Sequence, residues 1–125
     1  MSRETSFMRT LCLGEIQPEL ICPFPSLSDE EKETLDTVRT SVAQLMESHI
    51  SDFVEWDRTG VFPPEFIDEL KEFGLFSLVI PEDDGGLGMG SAAYSRTLQE
   101  LARFDAATAV TVGAHSSIGM RGLLL

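Results

Sequence analysis

The chain has 125 residues, 42% of them hydrophobic, with a mean hydropathy of +0.03, which fits one folded domain and excludes a largely disordered polypeptide. Its 21 acidic residues outnumber 9 basic ones, for a net charge of −12. That field repels phosphodiester backbones and anionic membrane surfaces, so nucleic acid is excluded as a partner.

Residues 1–27 carry Pro18, Pro23 and Pro25 between short apolar groups such as Leu11, Leu13, Ile16, Leu20 and Ile21. Prolines at that spacing forbid a continuous helix and predict an extended strap packed on the domain. Met1 to Arg9 contains Glu4, Thr5 and Ser6 with no sustained apolar core after it, which does not fit a signal peptide. Cys12 and Cys22 have no second pair and no nearby histidines, so they do not form a metal site; two free thiols are expected, with a disulfide between them left open. So few cysteines point to a reducing compartment, the bacterial cytoplasm or, alternatively, the mitochondrial matrix.

Ser28-Asp29-Glu30-Glu31 reads as a capping box that opens a helix. Leu35, Val38, Val42, Leu45, Met46, His49 and Phe53 then recur at three- and four-residue steps, predicting one long amphipathic helix that ends at Asp57-Arg58-Thr59-Gly60. Pro63-Pro64 opens a shorter helix with Phe66, Ile67, Leu70 and Phe73 apolar and Gly74 as a left-handed stop. Leu75 to Ile80 is either a short strand or a buried helical turn, ended by Pro81.

A glycine-rich turn from Glu82 to Gly90 follows, then a helix over Ser91 to Phe104 with Tyr94, Leu98, Leu101 and Ala102 inward and Arg96, Gln99 and Glu100 outward. Asp105 caps a last helix, Ala106 to Leu125, so uniformly small and apolar that it is expected to be covered on most sides. The fold class is therefore all-α: an antiparallel bundle of about four helices over residues 28–125, with the strap of residues 1–27 on its surface.

The glycine turn invites comparison with a phosphate loop, because glycine amides at a helix start bind anions. Its spacing does not fit: a dinucleotide fingerprint from Gly86 needs glycine where Ser91 stands, a Walker loop needs a lysine that is absent, and Glu82, Asp83 and Asp84 repel phosphate. A structural turn is the reading. Neither histidine has metal-ligand partners at helical spacing. His49 falls on an apolar face as a core histidine. His115 is one polar ring within an apolar helix, and its neighbour Ser116 cannot face it, so no nucleophile pair forms. Ala109, Gly113 and Ser117 fall four apart and make a flat face for another backbone or a long apolar ligand.

Leu70-Lys71-Glu72-Phe73-Gly74-Leu75-Phe76, then Ile80-Pro81-Glu82 and Gly85-Gly86-Leu87-Gly88, resembles the entry of the flavin-dependent acyl-CoA dehydrogenases. Gly113-Ala114-His115-Ser116-Ser117-Ile118-Gly119, with Leu13-Gly14-Glu15-Ile16 and Pro23-Phe24-Pro25, is similar to the very-long-chain and complex-I-assembly-factor branch. The resemblance implies FAD as cofactor, fatty acyl-CoA as substrate, electron-transfer flavoprotein as electron acceptor and a homo-oligomer. It places an acyl-chain wall on Val110, Thr111, Ala114, His115 and Ile118, and no catalytic base, flavin contact or metal ligand in these 125 residues. The β-domain and second helical domain of the family are expected beyond Leu125, since a helix ending in three leucines has no glycine stop or charged last turn. A non-catalytic helical interaction module is the alternative.

Overall fold

The computed structural model describes residues 6–23 and 26–123; Phe24, Pro25, Leu124 and Leu125, which belong to motifs above, lie outside them. Among the described residues there are α-helices and short helical turns but no strand: α1 (Phe7–Cys12), α2 (Asp29–Ser48), α3 (Phe53–Thr59), α4 (Pro64–Glu72), α5 (Ser91–Phe104) and α6 (Ala106–Ala114). The all-α expectation holds.

The helix starts fall where local chemistry puts them. The Glu31 amide donates to Ser28 Oγ at 3.1 Å while the Ser28 amide donates to Glu31 Oε2 at 2.8 Å, closing the capping box of α2. Donation from the Ser28 amide, and secondarily from its hydroxyl, holds the Glu31 carboxyl below its usual range. Pro64 begins α4, and Gly74 follows its end with φ of 74°. Asp105 Oδ1 accepts the Thr108 amide at 2.6 Å at the start of α6.

The long first helix is two helices. α2 stops at Ser48, and α3 restarts at Phe53. Ser48, Ser51 and Asp52 compete with the ladder by bonding locally: Ser48 Oγ donates to the Leu45 carbonyl at 2.6 Å, and the Asp52 amide donates to the His49 carbonyl at 2.8 Å. His49 itself turns inward, its Nε2 at 2.7 Å from Glu69 Oε2 of α4 and its ring 5.0 Å from Phe66 and 5.4 Å from Trp56. It is a satisfied structural histidine at the α2–α3–α4 junction. Phe53, Trp56, Phe62 and Phe66 join it in edge-to-face and tilted pairs, and Phe66 is fully buried.

Leu75 to Ile80 is a run of turns. The Leu75 amide reaches the Leu70 carbonyl at 3.1 Å and the Ser77 amide the Gly74 carbonyl at 3.0 Å, burying Leu75 and Leu78 completely. They join Val42, Met46, Phe66, Leu70, Leu101 and Val112 in one core.

α5 is the organising helix, packed on both α2 and α6. It forms an antiparallel hairpin with α6, since Tyr94 near its start meets Gly113 near the end of α6. It runs alongside α2 in the same direction, because Glu31 lies by Gly90 and Arg39 by Glu100. Glu100 is not outward as its charge suggested. It is 4% exposed and held by Arg39, whose Nη2 and Nε lie 3.0 and 3.2 Å from Oε2, and by Arg103 on Oε1. Ala102, expected inward, is exposed.

Two further expectations change. The apolar residues of the N-terminal strap do not pack: Leu11, Leu13, Ile16, Leu20 and Ile21 are all exposed, and the segment holds α1 and a 3-10 turn, Pro18–Leu20, rather than extended chain throughout. The last helix is α-helical only to Ala114, continues as a π-helical turn, His115–Gly119, and then a 3-10 turn, Met120–Gly122. Among its described residues only the stripe Thr108, Val112 and Ser116 is buried, while Val110 and Ile118 are 67% and 82% exposed.

Candidate functional site

Buried apolar contacts hold α5 against α6 along one edge and leave a shallow groove of about 850 Å³ along the other. One wall is formed by Val110 and Ala114 of α6 and Ile118 of the π turn that follows it, at successive steps of four residues. The floor is small, made by Ala109, Gly113 and Ser117, and a Cβ at Gly113 would stand 3.4 Å from the Leu98 side chain of α5. The facing wall comes from Ser95, Arg96, Gln99 and Ala102. The lining is apolar at its centre, with the guanidinium of Arg96 bonded to Gln99 Oε1 at 3.0 Å on the facing wall.

The five residues assigned to an acyl wall divide between two stripes. Val110, Ala114 and Ile118 line the groove. Thr111 and His115 lie on the neighbouring stripe: the Thr111 hydroxyl donates to the Ala107 carbonyl at 2.9 Å, and the His115 ring stands edge-on to Phe76 at 4.8 Å. His115 is exposed rather than a buried polar ring, so it can meet a molecule from outside. The facing wall on α5 was not read from sequence, although Ser95, Gln99 and Ala102 follow helical steps of four and three and could have marked a second stripe.

The glycine turn has its amides already engaged. Gly85 donates to the Glu82 carbonyl at 2.9 Å, Gly86 to Pro81 at 3.0 Å, Leu87 to Ser77 at 3.2 Å, Gly88 to Ile80 at 2.8 Å and Met89 to Leu78 at 2.8 Å. A phosphate would find no free donor in that run. Gly85 and Gly88 have φ of 83° and 57°. Gly86 is needed for space: a Cβ there would collide with the carbonyl and Cβ of Ile80.

The model of the acyl-CoA dehydrogenase N-terminal domain matches residues 28–125. The chain belongs to the acyl-CoA dehydrogenase family.

Among its relatives in the family, the mitochondrial very long-chain specific acyl-CoA dehydrogenase of Mus musculus is 33% identical over 121 residues, 96% of this chain and 18% of that protein. The Homo sapiens protein of the same name is 30% identical over 121 residues, with the same shares. A probable acyl-CoA dehydrogenase of Mycobacterium tuberculosis is 32% identical over 115 residues, 92% of this chain and 17% of its own length. The chain thus spans less than a fifth of the curated relatives it matches.

In this chain the glycine turn is a structural clasp between the core and α5, and it does not fit a flavin diphosphate: the amides of Gly85 to Met89 are bonded within the chain, and Glu82, Asp83 and Asp84 stand exposed beside it. No catalytic step is routed through a flavin on these residues. Among the described residues no group of three or more His, Cys, Asp or Glu side chains could hold a metal ion, and no helix is long and apolar enough to cross a membrane. Cys12 and Cys22 are both exposed free thiols.

Proposed function

We propose that this chain serves as the N-terminal helical domain, residues 28–125, of an FAD-dependent enzyme that dehydrogenates fatty acyl-CoA thioesters between Cα and Cβ, and that the α5–α6 groove receives the acyl chain. The observation that carries this is the line of Val110, Ala114 and Ile118, exposed on a small-residue floor where apolar groups need cover. A long methylene chain laid there loses its own water contact at about 0.8 kcal/mol per buried CH₂. Thr111 and His115 complete the wall where the chain rises toward Phe76.

The proposal assigns the remaining chemistry elsewhere. The base that removes the α proton, the flavin that accepts the β hydride, the homo-oligomer contact and the docking of an electron-transfer flavoprotein belong to parts of the enzyme that these residues do not supply. The favoured setting is the bacterial cytoplasm, with the mitochondrial matrix as alternative. The 125-residue chain alone is expected to hold no stoichiometric FAD and to reduce no dye with long-chain acyl-CoA; yellow protein with turnover would defeat that assignment.

The groove reading is tested by Ala114→Trp, which fills the gap between Val110 and Ile118. A long-chain acyl-pantetheine, free of the repelling phosphates of CoA, should bind the natural chain saturably and the variant at least about tenfold more weakly, the factor lost with roughly two buried methylenes. Equal binding by both would sink the groove assignment. A helical interaction module remains the second reading, and the same exposed stripe would then seat a partner helix.

A further inference from the structure

We propose that Tyr94 is a positioning residue: its hydroxyl holds the Gly113 carbonyl out of the regular helical ladder and so fixes the π turn that carries the far half of the groove wall. The Tyr94 hydroxyl crosses from α5 and donates to the Gly113 carbonyl at 3.1 Å. That same carbonyl also accepts the Ser117 hydroxyl at 2.7 Å. Side-chain donors inserted at one carbonyl compete with the amide four residues on and are a recognised cause of a local break in helical register. The break follows at once, as α6 ends at Ala114 and the wider turn His115–Gly119 closes with the Met120 amide on the His115 carbonyl.

A second, independent observation says that the turn is held against local preference. The Ser116 hydroxyl is 1% exposed and has no partner. Its neighbours on more open faces, Thr111 and Ser117, both bond back to the carbonyl four residues earlier. Ser116, one residue before Ser117 in the same turn, makes no such bond to Val112 and is left as a buried, unsatisfied donor. Such a cost persists only where surrounding contacts over-determine the backbone, and Tyr94 supplies one from another helix. π turns of this kind recur at functional sites. Here the turn decides which way Ile118 points relative to Val110, because Val110 precedes it and Ile118 lies within it. The inference concerns the backbone and does not depend on what the groove binds.

Amide hydrogen exchange of the whole 125-residue chain, read by NMR, tests it. Tyr94→Phe keeps the ring and removes one hydroxyl. Loss of a single net hydrogen bond should raise exchange at the Met120 amide roughly two- to tenfold and move the Ile118 methyl resonances, with the Leu101 and Val112 amides unchanged. Ser116→Ala removes the unpaired donor and should leave the Met120 amide as protected as in the natural chain, or more so. An unchanged Met120 amide in Tyr94→Phe, an equal rise along all of α5 and α6, or a rise at Met120 in Ser116→Ala would each overturn the proposal.

Discussion

Replacing Gly86 by alanine should damage this domain far more than the same change at Gly85, although only Gly85 has a positive φ. At Gly85, φ is 83° and a Cβ would meet nothing within 4 Å. Its cost is the left-handed backbone, about 1–2 kcal/mol, less roughly 0.4–1 kcal/mol gained from a stiffer unfolded chain, or about 1 kcal/mol net. At Gly86 the added methyl would overlap the carbonyl and Cβ of Ile80, rigid atoms that cannot swing away. Overpacking of that kind costs about 1–3 kcal/mol. Relief would also pull on the Gly86, Gly88 and Met89 amide bonds to Pro81, Ile80 and Leu78, and losing one or two of these adds about 1–2 kcal/mol.

The expected loss for Gly86→Ala is therefore about 2–5 kcal/mol, against a whole-domain stability of about 5–15 kcal/mol. At this size that lowers Tm by roughly 7–20 °C, while Gly85→Ala lowers it by roughly 3–5 °C. Urea and thermal unfolding followed by far-ultraviolet circular dichroism measure both. If the two variants fall within about 1 kcal/mol of each other, the close approach of Gly86 to Ile80 is not what fixes this turn.

Arg39→Met should cost more than Arg103→Met, about 2–3 against less than about 1 kcal/mol by urea unfolding, because Arg39 ties α2 to the buried Glu100 with two bonds whereas Arg103 is 62% exposed on the same helix. Equal costs would argue that Glu100 does not join the helices. Glu31 gives a pH test. Its carboxyl is held below 4.5 in the folded state by the Ser28 amide and hydroxyl, so its stabilisation is complete above that pH and is lost as pH falls through the lowered folded value. The Tm difference between the natural chain and Glu31→Ala should hold at pH 6 to 7 and shrink below about pH 4; a difference that grows in acid would contradict the capping box. Phe66→Ala should remove about 3–5 kcal/mol, since the ring is 1% exposed and packs on His49, Phe53, Trp56 and Phe62.

Local chemistry made much of this fold legible in the sequence. Ser28 with Glu31, Pro64, Gly74 and Asp105 each act within a few residues, and each marks a helix end where it was expected. The break at residues 49–52 was hidden because His49 and Phe53 keep the four-residue step across it, and periodicity does not register a change of helix axis. Glu100 follows Ala93 and Thr97 at helical spacing, so its buried face was readable; its partner Arg39, 61 residues away, was not. In the groove, the step of four along Val110, Ala114 and Ile118 was visible, but the turn that offsets Ile118 depends on a hydroxyl from another helix. Exposure of the strap and of His115 likewise rests on packing that no local pattern records.

The most direct test of the acyl groove is photo-crosslinking of the 125-residue chain with a long-chain acyl-pantetheine carrying a diazirine at the end of its chain, below its micelle concentration, mapped by peptide mass spectrometry. Labelling concentrated on Val110, Ala114 and Ile118, and competed away by unlabelled thioester, is the predicted result. Labelling that instead follows the exposed apolar residues Leu11, Leu13, Ile16 and Ile21, or resists competition, would contradict it.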